Sequence, residues 1–164
     1  MTRRMTAWLH VEAVATVGIA YLGIEALGWD RARRIADRLA KDTGSTRAPD
    51  RDLGEYDLAI ARKIERATLR ASRLIPNARC APRALAARHM LARRGLYARL
   101  QVGLRLQPRL EGHAWLELGS PTDPELLFVR ADHTYQPIEA LSGAAGPATA
   151  RSVDPHLTSK GAFL

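Results

Sequence analysis

Trp8, Val11, Ala15, Ile19, Leu22, Ala26 and Trp29 follow one another at steps of three and four, the spacing that lines one stripe of a helix. This predicts a helix over residues 6–39, interrupted near Gly28 and Trp29, with the stripe packing on a core or a partner. Thr43, Gly44, Ser45, Thr46, Pro49 and Asp50 then have the composition of a loop. Helical spacing returns in Ile60, Ile64, Ala67, Ala71 and Leu74, set among Arg62, Lys63, Glu65, Arg66, Arg70 and Arg73. An amphipathic helix over residues 55–74 follows, its charged side read as a solvated face. Pro76 and Asn77 signal a turn. Cys80 stands where the next helix begins, because Pro82 is tolerated in a first turn and Leu85, Leu91 and Ala92 continue the segment.

After Arg93, Arg94 and Gly95, a basic last turn with a C-cap glycine, the period changes to two. Leu96, Ala98, Leu100, Val102, Leu104 and Leu106 alternate with Tyr97, Arg99, Gln101, Arg105 and Gln107, so this strand has one buried and one wetter face. Pro108 and Gly112 bracket a turn, and a second strand over 113–118 places His113, Trp115 and Glu117 on one face. A third apolar run over 126–131 ends on Asp132, which lies beside His113 if these strands pair. Tyr135, Gln136 and Pro137 close it. Helices first and strands last predict an α+β fold rather than a doubly wound parallel sheet.

The length of 164 residues suits one domain with a real core. Its expected extent is 1–142, with a helical part over 1–75 and a catalytic core over 76–142. Residues 143–164, rich in Gly, Ala, Pro and Ser, are expected to form a flexible tail. Twenty-five Lys and Arg against 17 Asp and Glu give a net charge of +8, which suits acidic partners without choosing among them.

The N-terminal helix imitates a signal peptide or a membrane span. Glu12 and Glu25 leave an uncharged run short of the roughly 20 residues a span needs, and no cleavage site follows. A helix docked on the core or a partner is the first reading. A peripheral membrane helix, suggested by the tryptophans and the basic segment 31–41, is the second.

A single cysteine cannot form an internal disulfide and is kept most easily in a reducing compartment, so the cytoplasm is the expected location. At a helix N-terminus the unpaired N–H groups and the positive end of the macrodipole favour thiolate over thiol, which makes Cys80 a candidate nucleophile. His10, His89, His133 and His156 lack partners at metal-ligand spacing and read as structural or surface residues. Trp115 and Tyr97 read as packing residues.

Three segments carry a resemblance. They are Arg-Ala-Ser-Arg-Leu-Ile-Pro-Asn-Ala-Arg-Cys-Ala-Pro-Arg-Ala-Leu-Ala-Ala, Leu-Ala-Arg-Arg-Gly-Leu-Tyr-Ala-Arg-Leu-Gln-Val-Gly-Leu-Arg and Glu-Gly-His-Ala-Trp-Leu-Glu-Leu, within residues 70–118. Together they resemble the transglutaminase-like cysteine peptidases that remove leader peptides in lasso-peptide biosynthesis. The resemblance implies a transglutaminase-like or papain-like core in which Cys80 is the nucleophile, His113 the general base and then acid, and Asp132 the group that orients the imidazole. Asn77 is a further candidate, as an oxyanion donor. No metal and no cofactor are implied. The helical first 75 residues look like a stand-alone peptidase, which implies a separate leader-recognition protein as partner, besides the precursor peptide and a lasso cyclase resembling asparagine synthetase.

Two other readings compete. The same triad passes the acyl group to an amine in transglutaminases. A non-catalytic basic domain would instead hold nucleic acid or a membrane surface through phosphate contacts, but few aromatics accompany the charges and no nucleic-acid motif is present, so no nucleic acid is expected.

Overall fold

The chain turns first at Gly28, whose φ of 77° lies in the left-handed region that glycine enters without a Cβ clash. In the computed structural model, which describes residues 3–42, 53–105, 110–129 and 135–138, this turn separates α1 (Arg3–Leu27) from α2 (Trp29–Asp42). The expected interruption therefore falls where glycine permits it. Next comes α3 (Glu55–Ser72), with Glu55 and Asp57 in its first turn and Arg70 in its last, charges that oppose the helix dipole at each end. Cys80 opens α4 (Cys80–Ala92).

The fourth helix is the centre of the molecule. Ala84, Leu85, Ala86, Ala87, Met90 and Leu91 are all buried, so α4 is enclosed nearly all round, by α1, α2 and α3 on one side and the sheet on the other. Its alanines allow neighbouring backbones to come close. Facing it, α1 presents Leu9, Ala13 and Val17, and α3 presents Ala61, Ile64, Ala67 and Ala71. Charged groups tie the same elements at their edges. Glu12 of α1 meets Arg93 at 3.1 Å and Arg94 at 2.7 Å. Asp37 of α2 pairs with Arg88, whose Nε also donates to the Ala98 carbonyl at 3.1 Å.

The predicted stripe of α1 does not pack on the core. Trp8, Val11, Ala15, Ile19, Leu22 and Ala26 point outward, with Trp8 70% and Ile19 71% exposed. Both faces of α1 are apolar, and the smaller one wins because it lets the helix approach alanine-rich α4. The stretch Ala7–Leu27, 21 residues at mean hydropathy 1.4 with its two glutamates included, is long and apolar enough to cross a membrane by length and composition alone. Leu74, expected on the buried face of the next helix, lies beyond its end and is 72% exposed.

A glycine also closes α4. Gly95 takes φ 73°, and the Leu96 N–H returns to the Leu91 carbonyl at 3.0 Å, releasing the chain into the sheet. The strands are β1 (Ala98–Arg105), β2 (Glu111–Leu118), β3 (Glu125–Leu127) and β4 (Gln136–Pro137), all antiparallel in the order β3-β2-β1-β4. The expected hairpin is β1–β2, with Leu100 opposite Leu116 and Gly103 opposite His113. Four helices and four antiparallel strands among the described residues make the fold α+β.

The third strand is shorter than the apolar run 126–131 predicts. It stops at Phe128, whose φ of 68° breaks the extended chain. The loop expected over 43–50, Asp132 and the tail over 143–164 lie outside the described residues.

Candidate active site

The loop before α4 is wound tightly enough to deliver a side chain at the first helical position. The Ala78 N–H donates to the Ile75 carbonyl at 3.2 Å and the Arg79 N–H to the Asn77 carbonyl at 2.8 Å. Between them Asn77 adopts φ 65°, a left-handed conformation that asparagine tolerates better than most residues. Asn77 itself is exposed. Pro82 then sits in the first turn, where its missing N–H removes no helical bond.

Because α4 packs on β2, the half-buried Cys80 reaches the start of that strand. Its sulfur lies 3.8 Å from the Gly112 carbonyl oxygen, and its ionisation is coupled to the His113 ring and the Ala114 backbone. The structure thus brings together two of the three residues expected at the site, 33 positions apart in the chain. Asp132, the third, lies outside the described residues.

His113 is held on several sides. Its Nε2 is 2.7 Å from the Phe128 carbonyl oxygen. A carbonyl only accepts, so Nε2 carries the hydrogen, and in neutral imidazole the other ring nitrogen is then a free acceptor. Tyr135 stacks on the ring with centroids 4.7 Å apart, and Trp115 follows at 6.3 Å on the same strand face. The Arg83 guanidinium, one turn into α4 from Cys80, lies 5.8 Å from the Phe128 ring centroid.

The electrostatics favour an ion pair. Burial pushes the Cys80 thiol up, but the His113 hydrogen bond, the Ala114 backbone bond and the charges of His113 and Arg83 outweigh it, and the thiol pKa is lowered. Burial pushes His113 down, and Arg83 acts in the same sense. The bonds to Cys80 and to the Phe128 carbonyl, with the thiolate charge, prevail and raise it. The two shifts share the Cys80–His113 coupling as a source and so describe the pair as much as either residue.

Behind Phe128 stands a cluster that the sequence alone did not reveal. Glu65 Oε1 accepts from the Phe128 N–H at 2.6 Å, and Glu65 Oε2 accepts from Arg62 at 2.9 Å. Arg62 also donates to the Leu126 carbonyl at 3.1 Å and pairs with Glu125. Arg62 and Glu65, three apart, were visible as a helical pair, but their partners lie some 60 residues downstream in β3 and its end. The charged side of α3 is in this place an interface, not a solvated face.

Of the other histidines, His10 contacts Arg70 at 3.2 Å, and His89 is held low by burial and by Arg93, against Glu12. His133 and His156 lie outside the described residues. Among the described residues no group of three His, Cys, Asp or Glu is placed to hold a metal ion.

Compared with known proteins, residues 23–138 match the family described as the transglutaminase-like superfamily. The match takes in Cys80, His113 and Asp132 and leaves out most of α1. No curated protein and no solved structure matches the chain.

Proposed function

The chain belongs to the transglutaminase-like superfamily, whose chemistry is of the cysteine peptidase or acyltransferase type, and on that premise we propose a peptidase that removes the leader from a lasso-peptide precursor. The observation that carries this reading is the Cys80–His113 pair, formed where the start of α4 meets β2. The finer assignment, to lasso-peptide maturation, rests on the resemblance of residues 70–118.

The mechanism follows from the pair. The Cys80 thiolate attacks the last leader carbonyl, forming an acyl-enzyme, while His113 gives its proton to the departing amine. His113 then takes a proton from water, which attacks the thioester and frees the leader and the thiolate. Backbone N–H groups at the start of α4 are the proposed oxyanion donors, with Asn77 as a further one. Asp132, four residues beyond Phe128, is the proposed carboxylate of the triad. A separate leader-binding protein would present the precursor, and a cyclase would use the freed amine.

Mass spectrometry of a precursor peptide incubated with wild type and Cys80→Ala, with and without the leader-binding protein, tests the proposal. Cleavage at one site, lost in Cys80→Ala, is the expected result. A product carrying an added amine would replace hydrolysis by acyl transfer. An intact precursor in every arm, with folded enzyme, would overturn the reading.

A further inference from the structure

Phe128 combines an unfavourable backbone conformation with an exposed chemical task. Its φ of 68° is uncommon for a bulky side chain, and such a conformation persists only where surroundings fix it. Here they fix it from three directions. The N–H is bound by the Glu65 carboxylate at 2.6 Å, the carbonyl by His113 Nε2 at 2.7 Å, and the ring is buried beneath Arg83. Rotation about the N–Cα bond aims the carbonyl, so whatever holds the N–H also decides where the His113 ring is anchored.

We propose that Glu65 is a positioning residue for His113, acting through the Phe128 backbone: it holds Phe128 in its left-handed conformation, and the Phe128 carbonyl fixes the imidazole tautomer that faces Cys80. The role rests on the reading of Cys80 and His113 as the reacting pair. Glu65 suits the task because it is itself held. It is only slightly exposed, and Arg62 occupies its second oxygen while also binding the Leu126 carbonyl and Glu125, so α3 and β3 are locked at the point where the chain turns. A bond from a peptide N–H to an ionised carboxylate is stronger than one to a neutral acceptor, which offsets the cost of the turn.

The charged and titratable groups around the ring define what a pH measurement will read. Cys80 and Arg83 face it from α4 and Tyr135 from before β4, with the Arg105 guanidinium of β1 5.8 Å from the Tyr135 ring centroid. Glu65, Arg62 and Glu125 stand behind Phe128 and touch its backbone or each other, not the ring. Loss of Glu65 therefore acts on His113 by releasing the carbonyl. An imidazolium without that acceptor is easier to deprotonate, and the thiolate loses its partner.

The test is the pH dependence of Cys80 alkylation by iodoacetamide, on the full chain, needing no peptide substrate. Wild type is expected to react at pH values where an ordinary thiol is inert. Glu65→Ala is expected to move that limb toward ordinary thiol behaviour, slowing alkylation in mild acid about tenfold for every pH unit the limb moves. Glu65→Gln keeps an oxygen for the Phe128 N–H and is expected to restore most of the wild-type profile. Arg62→Gln frees the second Glu65 oxygen but leaves the Phe128 bond, so it should lower the melting temperature and move the limb less than Glu65→Ala does. Should Glu65→Ala not fold, Glu65→Asp, which draws the carboxylate back by one methylene, is expected to show a smaller displacement in the same direction. An unmoved limb in folded Glu65→Ala or Glu65→Asp, or equal movement in Arg62→Gln, would overturn the proposal. An unmoved limb would leave the peptidase reading intact. A displaced limb with no cleavage of any precursor would retain the proposal and reject the peptidase.

Discussion

Gly103 lies directly opposite His113 in the β1–β2 register, at a point where three backbones and a ring crowd together. A Cβ on residue 103 would stand 2.6 Å from the Gln136 carbonyl oxygen and 2.8 Å from the Trp115 ring. Either β4 or Trp115 would have to move, and Tyr135, stacked on His113, lies next to both. Gly103→Ala is expected to destabilise the fold by about 2 kcal/mol, the usual scale of overpacking, and to reduce cleavage more than its loss of stability accounts for. Denaturant melts alongside cleavage rates at a temperature where the variant remains folded would check both.

The pH profile of cleavage follows from the signs of two shifts. Below the lowered thiol pKa the nucleophile is protonated, and above the raised imidazole pKa the leaving amine has no proton donor. The value of kcat/KM should therefore rise through the first and fall through the second, each limb displaced from the ordinary thiol and imidazole positions in the direction of its shift. Folding linkage has the same window: the thiolate contribution is lost as pH falls through the lowered pKa, the imidazolium contribution as pH rises through the raised one. A single rising limb matching an ordinary thiol would contradict the ion pair.

Asp132 and the Phe128 carbonyl make separable predictions. Asp132→Asn is expected to lower cleavage on the order of a hundredfold while Cys80 alkylation keeps its wild-type pH limb, because Phe128 still holds the Nε2 hydrogen. Parallel loss of both readouts would make the carboxylate, rather than the peptide carbonyl, the main anchor of the ring.

Glu12 is a structural carboxylate, its side chain only 9% exposed between Arg93 and Arg94. Burial opposes its ionisation, but the Arg94 hydrogen bond and the charges of Arg94, Arg93 and His89 prevail, and its pKa is lowered. Its contribution is thus present above the ordinary carboxylate range and lost as pH falls through the lowered value. Glu12→Gln is expected to cost about 2 kcal/mol near neutrality and progressively less in acid. Urea melts at several pH values would show the difference closing.

The two faces of α1 give opposite expectations. Ile19→Gln and Leu22→Gln, on the outward face, should change stability by no more than about 0.5 kcal/mol. Ala13→Leu, at 0% exposure against the core, should cost about 1–3 kcal/mol by overpacking. Thermal melts of these three variants would reverse the ranking if the large residues were the packed ones.

Local chemistry made much of this architecture readable in advance. Gly28, Gly95, Pro82 and the alternation after Leu96 each act within a few residues, and the helix ends and the β1–β2 hairpin fall where they indicate. The inward face of α1 was not readable, because a helix apolar on both sides is oriented by the size of what it packs against, and α4 is distant in sequence. Phe128 was equally hidden. Its left-handed turn sits in an apolar run that looks like continuous strand, and is created by Glu65 and His113 reaching it from α3 and β2. Cys80 and His113 stood out because each is marked locally, one by a helix start and the other by a strand. Their meeting required the tertiary packing of α4 on β2.

The enclosure of α4 bears on how a peptide is admitted. The sulfur is carried by the first residue of the helix with the least room to shift, hemmed in by helices behind and strands in front. The other wall of the site is slighter: among the described residues β4 is two residues long and pairs only with β1, and Tyr135 rests on the imidazole. On the proposed reading the nucleophile is an anvil, and the thin edge of the sheet is where give for a substrate is expected.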